Sequence, residues 1–180
     1  MTATAQKFLS RASGAGLQEV QASISGGAGY EGKIPALDPT TGLLASSMMP
    51  TGIGADTINV ATSEALTAGQ FVNLWNNTDT AAARKADNTD TTKPAHGFVL
   101  AGAAFPGTAT VYLMGLNNVV PLGGFTVADM GVAVYLSSSG GITKTRPTAS
   151  TSLDQQLGYI VAVGATVSVN FDQVMGIAVV

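Results

Sequence analysis

The spacing of apolar residues along the chain changes near residue 57. From Ile58 onward they fall in short runs dominated by β-branched and aromatic residues. In one run Val167, Val169 and Phe171 alternate with polar residues, and a period of two is typical of a half-buried strand. The runs that predict strands are Phe71–Trp75, Gly97–Leu100, Thr108–Leu113, Val132–Leu136, Tyr159–Val163, Thr166–Phe171 and Val174–Val180.

Stretches of Gly, Asn, Pro and Ser separate these runs and predict the turns. Strand-like segments spaced by roughly 8–12 residues, with turn residues between them, are typical of sandwiches and barrels. We therefore predict that residues 57–180 form one all-β domain, a small β-sandwich or barrel that is jelly-roll-like. Within it, Phe125–Met130 predicts a single helical turn, residues 78–93 a strand edge plus a long exposed loop, and residues 137–153 a surface loop.

The first 56 residues are poor in large apolar side chains. They contain 14 of them, against 41 in residues 57–180, and Val20 is the one valine of 17 that precedes residue 60. Apart from a short helical possibility at Ala3–Arg11, they sustain no apolar period. Ordering the backbone costs ~1–2 kcal/mol per residue, which so few apolar groups cannot offset. We predict that residues 1–56 form an extended N-terminal arm, ordered only against a partner.

Charge and composition exclude several classes of protein. Eight Lys and Arg against eleven Asp and Glu give a net charge of −3, without the basic cluster that nucleic-acid binding needs. The absence of cysteine removes disulfides and thiolate chemistry. No stretch approaches the ~18 consecutive apolar residues of a membrane helix, and the first ten residues lack the apolar core of a signal peptide. We expect a soluble protein that is not secreted and binds neither nucleic acid nor membrane.

Candidate catalytic and cofactor-binding residues are few. Gly27–Gly32 fits the G-x-G-x-x-G pattern of dinucleotide sites, but two prolines follow closely and leave no room for the required helix. His96 is the sole histidine, and we predict that it lies at a strand edge or turn and makes a backbone hydrogen bond. The segment with Asp87 and Asp90 lacks the Gly and the closing Glu of a calcium loop. We expect no catalytic residue, no cofactor, no metal and no enzymatic activity.

Phe71 and Trp75 are four residues apart in a predicted strand, so they share one face with Asn73. Their rings could form a sugar-stacking platform. The alternative that we favour is that this face packs into the barrel or against a neighbouring copy of the chain. Phe71 and Trp75 are therefore candidate residues of an oligomer interface.

The arm contains one cluster of large apolar residues, which has no core of its own to enter. Buried against a partner, each such side chain would contribute roughly 1.5–3 kcal/mol before ordering costs. Methionine adapts to irregular grooves, which suits an anchor on another protein. The candidate partner-binding anchors are Leu43, Leu44, Met48, Met49 and Ile53.

Residues 26–50 resemble a segment of tailed-phage virion proteins, in which a Gly-Lys-Ile … Leu-Asp … Gly … Leu … Ser … Met-Pro phrase links an N-terminal peptide to a small β domain. The resemblance continues at Ala65–Gly69, Ala83–Ala86, His96–Val99, Gly131–Leu136, Gly141–Thr143 and Gln156–Gly158. It implies a capsid decoration (cement) protein or a head-fibre protein. Similar phrases occur in tail fibres, so the resemblance leaves the location on the particle open.

The resemblance implies a non-enzymatic structural protein that decorates and stabilises a phage capsid. We expect the arm to bind across subunits of the major capsid protein and the β domain to lie on the outer surface, after assembly in the host cytoplasm. We also expect a homodimer or homotrimer, because symmetric assembly is the common case. The alternative is a glycan-binding, receptor-binding module of a tail fibre. A polysaccharide depolymerase would require a pair of carboxylates in one cleft.

Overall fold

The computed structural model describes residues 7–11, 17–23, 34–37, 44, 48, 56–172 and 177–179 of the chain. The chain divides into two units, Met1–Gly54 and Ala55–Val180. Short 3-10 turns cover Val127–Asp129 and Ser138–Gly140. The strands are β1 (Lys7–Arg11), β2 (Leu17–Gln21), β3 (Thr57–Thr62), β4 (Phe71–Asn77), β5 (Thr80–Lys85), β6 (Gly97–Phe98), β7 (Thr108–Tyr112), β8 (Gly115–Pro121), β9 (Ala133–Leu136), β10 (Ile142–Thr143), β11 (Leu153–Val163), β12 (Thr166–Phe171) and β13 (Ile177–Val179).

In the first unit, β1 and β2 pair as an antiparallel hairpin, with Phe8 opposite Val20. The ammonium of Lys7 lies 3.1 Å from the carboxylate of Glu19, and both side chains are exposed. The helical possibility at Ala3–Arg11 is therefore wrong for residues 7–11, because strand pairing outweighs a weak helical propensity. Whether the arm takes its order from a partner stays a prediction.

In the second unit, five strands close into a barrel in the order β3, β5, β4, β6 and β7. The paired strands are antiparallel except β3 and β5, which are parallel and share two register pairs, Ala61 with Ala82 and Thr62 with Ala83. The prediction of an all-β domain, with the barrel as one of its forms, is confirmed.

Alternate residues of the barrel strands face two different cores. Val72, Val99 and Val111 belong to one buried cluster, which fills the barrel. Phe71 and Phe98 each precede one of these valines and belong to a second buried cluster. Because successive side chains of a strand point to opposite faces, the same strands build the barrel interior and support a layer outside it.

A second sheet supplies the rest of that outer layer, in the order β10, β9, β11, β12 and β8, with β13 paired to β11. Its inward residues, which include Val134, Ile160 and Val169, are buried in the same cluster as the two phenylalanines. The rings of Phe71 and Phe171 lie 5.4 Å apart, and those of Phe98 and Phe171 lie 6.0 Å apart in an edge-to-face arrangement. Aromatic packing thus joins the barrel to the second sheet.

The structure adds to the predicted strands in several places. Strand β3 was not among them, and β10 lies inside residues 137–153, so the prediction of a surface loop there is wrong for residues 142–143. Residues 80–85 form β5, although the sequence predicted only a strand edge in residues 78–93, and β8 was not predicted. The strand predicted at Tyr159–Val163 is the second half of β11, which begins at Leu153. Three alanines in β5, and two asparagines and a proline in β8, weaken the β-branched and aromatic signal by which strands are recognised. The helical turn predicted near residues 125–130 is present as a 3-10 turn.

Gly158 allows β11 to pass close to β12. Its φ is +149°, and a Cβ there would collide with the carbonyl oxygen of Asn170 and lie 2.9 Å from its carbonyl carbon. The register of β11 against β9 shifts between Gln156 and this glycine. Both the backbone angle and the close approach require glycine.

Replacing Gly158 with alanine should destabilise the protein by roughly 3 kcal/mol or more, because the strand must move away from its neighbour. Urea unfolding followed by far-UV circular dichroism measures the change. The matched control is Gly164→Ala, since a Cβ at Gly164 meets nothing within 4 Å. The control should change stability by less than about 0.5 kcal/mol. Equal effects of the two substitutions would contradict this account of Gly158.

Candidate functional site

The predicted arm anchors are only partly within the described residues. Leu44 is exposed and Met48 is half-buried. Leu43, Met49 and Ile53 lie outside the described residues. Exposed large apolar side chains also occur elsewhere in the described part of the first unit, at Leu9, Ile34 and Leu37.

The face of β4 that carries Phe71 and Trp75 changes character along the strand. Phe71 is fully buried in the chain's own core. The sequence analysis left two alternatives for this face, packing into the domain or against a neighbouring copy, and Phe71 follows the first. Trp75 is half-buried at the surface of the barrel, where Ala82 of β5 is its register partner. Between them Asn73 is buried and opposite Arg84. A role of the pair in an oligomer interface stays a prediction.

Trp75 is held in position by polar groups on both sides. Its indole N–H donates a hydrogen bond of 3.0 Å to the hydroxyl of Ser63. The guanidinium of Arg84 lies over the ring, 4.6 Å from the centroid, in cation–π geometry. Arg84 is itself positioned by hydrogen bonds from its Nε to Asn73 Oδ1 and from a terminal nitrogen to the carbonyl of Thr92, both of 2.9 Å. The indole is therefore a rigid platform.

His96 lies beside this network and has the role that the sequence predicted for it. Its Nδ1 accepts the backbone N–H of Leu74 at 3.0 Å, which places the proton of the neutral ring on Nε2. Burial lowers the pKa of His96 below its usual value of 6.5. The preceding loop is held by Gln155, whose side-chain amide donates to and accepts from the backbone of Ala95 at 2.8 and 2.7 Å. The geometry is that of a structural histidine.

Asp87 and Asp90 cap the turns of their own loop. Each accepts hydrogen bonds from the backbone N–H and the hydroxyl of the threonine two residues later, Thr89 and Thr92. Burial alone would raise the pKa of Asp87, but hydrogen bonds from Thr89 and from the backbone N–H of Ser139 lower it overall. The bonds from Thr92 lower the pKa of Asp90 to about 2. Among the described residues, no group of three or more His, Asp or Glu is placed to hold a metal ion.

Other acidic residues of the β domain pair with bases. Glu64 accepts the backbone N–H of Lys85 at 2.7 Å, and their side chains lie 3.6 Å apart. Lys144 bonds Asp129 at 2.8 Å, and this bond lowers the pKa of Asp129. The buried carboxylate of Asp154 accepts a bond of 2.7 Å from Arg146 Nε, which raises the pKa of that arginine. Ion pairing and turn capping account for the positions of these acids.

The outer face of the second sheet exposes large apolar residues and carries no charge. Tyr159 and Val161 of β11 are 47% and 50% exposed, and Leu116 of β8 is 48% exposed. Strands β8, β9 and β12 contain no charged residue, and the one in β11, Asp154, is buried. Tyr159 is opposite Asn170, which in turn is opposite Leu116, so the two apolar residues lie in one row across three strands with an uncharged amide between them. Exposed apolar faces of this kind are typical of interaction surfaces.

No helix in the described part of the chain is long and apolar enough to cross a membrane.

Comparisons with known proteins gave one distant likeness in structure. No protein-family model matches the chain, and no curated protein matches it. Among solved structures, the crystal structure of the head fibre gp8.5 N base in bacteriophage phi29 is similar, with a TM-score of 0.47 and 11% sequence identity. The match covers 66% of this chain and 95% of that chain. A likeness at this level does not transfer a function.

The free energy of unfolding should fall as the pH decreases below about 6.5, because the pKa of His96 is lower in the fold than in the unfolded chain. Above that pH both states carry a neutral imidazole, so the full stability is present. Below it the unfolded chain binds the proton first. The aspartates with lowered pKa values, including Asp90, titrate at more acidic pH.

Urea midpoints of the full chain at pH 7.5 and 5.5 measure this effect. His96→Asn is the comparison variant, since an amide oxygen can accept the N–H of Leu74 without titrating. The variant should lose most of the difference between the two midpoints. A variant with the same pH dependence as the parent chain would show that another group is responsible.

Proposed function

We propose that the chain is a non-enzymatic structural protein of a phage virion that decorates and stabilises the capsid. Its N-terminal arm binds across subunits of the major capsid protein, and its β domain stands on the outer surface of the shell. The protein acts as a homodimer or homotrimer and needs no cofactor. Assembly takes place in the host cytoplasm.

Exposure of the arm's large apolar side chains is the observation that carries this proposal. Leu9, Ile34, Leu37 and Leu44 are exposed in the described part of the first unit. Buried against a partner, each would contribute roughly 1.5–3 kcal/mol before ordering costs. Residues 26–180 resemble tailed-phage virion proteins, and this resemblance implies that the partner of the arm is the capsid shell.

The length of the arm suits a contact between neighbouring shell subunits. Because β1 and β2 double back on each other and Ser23 is bridged to Pro35, residues up to Pro35 add little to its reach. The remaining residues 36–56, if fully extended at ~3.3 Å each, would span on the order of 70 Å. Several arms on one oligomer would bind with a high effective concentration, so that individually modest contacts give tight attachment.

The outer face of the second sheet supports self-association. In a symmetric dimer the same patch meets itself, so a charged residue near its centre would face its own copy. The row of Tyr159, Asn170 and Leu116 contains no charge and leaves large apolar area exposed. Such a face can be covered by its own copy without repulsion.

Deleting residues 1–50 should leave a folded, soluble β domain that no longer binds capsids. The reason is that the buried clusters of the second unit are built from residues 60–171, whereas the proposed anchors lie in the arm. Far-UV circular dichroism checks the fold, and co-sedimentation with shells of the major capsid protein checks binding.

A full-length variant with Leu43, Leu44, Met48 and Met49 replaced by serine should lose binding in the same assay. The matched control replaces Thr40 and Thr41 of the same arm with serine and should bind normally. Full binding by the deletion variant would refute the role of the arm.

Replacing Val161 with glutamate should convert the oligomer to monomers, because two like charges would face each other in a dry contact, which costs several kcal/mol. Val161 is half exposed, so the fold should tolerate the change. Sedimentation equilibrium measures the mass. The control Thr108→Glu places the same charge at an exposed position of the barrel strand β7 and should leave the mass unchanged. A Val161→Glu oligomer of parental mass would exclude this face as the interface.

A further inference from the structure

The hairpin between β4 and β5 ends in a strained turn. Its central residues Thr78 and Asp79 have φ angles of +54° and +62°, both in the left-handed region. A two-residue turn of this kind favours Asn and Gly, and a β-branched threonine adopts it at an energetic cost. Strained positions of this kind cluster at functional sites. The consequence here is that the carboxylate of Asp79 stands at the tip of the hairpin, beyond the end of the barrel pairing.

A shallow depression of about 330 Å³ lies along the same hairpin. Its volume is at the lower end of the range typical of small-molecule sites. Trp75 and Leu74 give it an apolar wall, and its remaining lining is Asn76, Asp79, Thr80 and Ala81. Its exposed lining is mostly apolar, and the residues around it also carry an amide, a carboxylate and a hydroxyl.

The polar side chains of this depression are not used by the fold. Asn76, Asp79 and Thr80 are exposed, and none of them makes a side-chain hydrogen bond or ion pair with the described residues. The aspartates of the neighbouring loop, Asp87 and Asp90, cap turns instead. Asp79 thus differs from these carboxylates in having no structural partner in the described part of the chain.

The aromatic wall, in contrast, is rigidly supported. Ser63 holds the indole N–H of Trp75 at 3.0 Å, and Arg84 covers part of the ring from a position set by Asn73 and Thr92. A platform that is held before a ligand arrives loses little conformational entropy on binding. The supporting network therefore prepares the site for a ligand that contacts the indole.

We propose that this depression binds a neutral saccharide unit, one hexose or N-acetylhexosamine residue of a glycan. The apolar C–H surface of a pyranose packs on the indole, while its hydroxyls bond the amide of Asn76, the carboxylate of Asp79 and the hydroxyl of Thr80. Acidic sugars are disfavoured, because their carboxylate would meet Asp79 on a protein of net charge −3. All the lining residues belong to the second unit, and the binding does not depend on where the protein sits on a particle.

Tryptophan fluorescence of the full chain tests this directly, because Trp75 is the sole tryptophan. The probes are methyl glycosides of glucose, galactose and N-acetylglucosamine, with linear trisaccharides of the same units. Methyl glucuronide is the acidic counterpart, and choline tests for a cation site against Trp75 and Asp79. We expect a saturable change in emission with at least one neutral saccharide and binding about tenfold weaker, or absent, for glucuronide and choline.

Site variants localise the response. Asn76→Ala should weaken binding roughly three- to tenfold by removing hydrogen bonds, and Asp79→Asn should reduce the discrimination against glucuronide. Asn118→Ala removes an exposed amide from β8 and should bind like the parent chain. Circular dichroism verifies each fold, and Thr80→Ala replaces Asn76→Ala if that variant fails to fold.

Three results would overturn the proposal. The first is the absence of a saturable change with any neutral saccharide at the highest soluble concentration. The second is tighter binding of choline or glucuronide than of every neutral probe. The third is unchanged affinity in a folded variant that carries both Asn76→Ala and Asp79→Asn.

Discussion

The contact among Phe71, Phe98 and Phe171 is the constraint on which the β domain depends. The first two residues are neighbours of valines that fill the barrel, and the third comes from β12 of the second sheet. Because a strand presents alternate residues to opposite faces, each barrel strand at this contact must be apolar on both sides. In the sequence this requirement is met by two consecutive apolar residues in each case, Phe71-Val72 and Phe98-Val99.

Strand alternation made the class of the fold predictable, and local composition limited the details. Thr166–Phe171 was predicted with the bounds that the structure gives β12, since its apolar and polar residues alternate without interruption. Strand β5 was missed because its alanines carry little β preference, and its place is decided by pairing with β4. The start of β11 was missed because Asp154 and Gln155 are polar, although both are buried, Asp154 beside Arg146 and Gln155 against the distant Ala95.

The surroundings of Trp75 were predictable only in part. Spacing alone placed Phe71, Asn73 and Trp75 on one face, and the backbone bond of His96 followed from its position at a strand entry. Arg84 lies in residues 78–93, which were predicted as a strand edge plus an exposed loop, so its stacking on the indole of Trp75 could not be predicted. Had β5 been recognised, its register against β4 would have set Arg84 opposite Asn73. The outer face of β11 was hidden in the same way, since Tyr159–Val163 is apolar throughout and gives no sign of which residues face outward.

The parallel contact of β3 with β5 has a further consequence for the barrel. This joint of the closed sheet has two register pairs, and Ser63 extends it, because its backbone N–H and its hydroxyl both donate to the carbonyl of Ala83, at 2.9 and 3.2 Å. The same serine accepts the indole N–H of Trp75. One hydroxyl therefore couples the joint to the surface beside it. A ligand that binds the indole of Trp75 would therefore also stabilise the pairing of β3 with β5, and so oppose opening of the barrel at this joint.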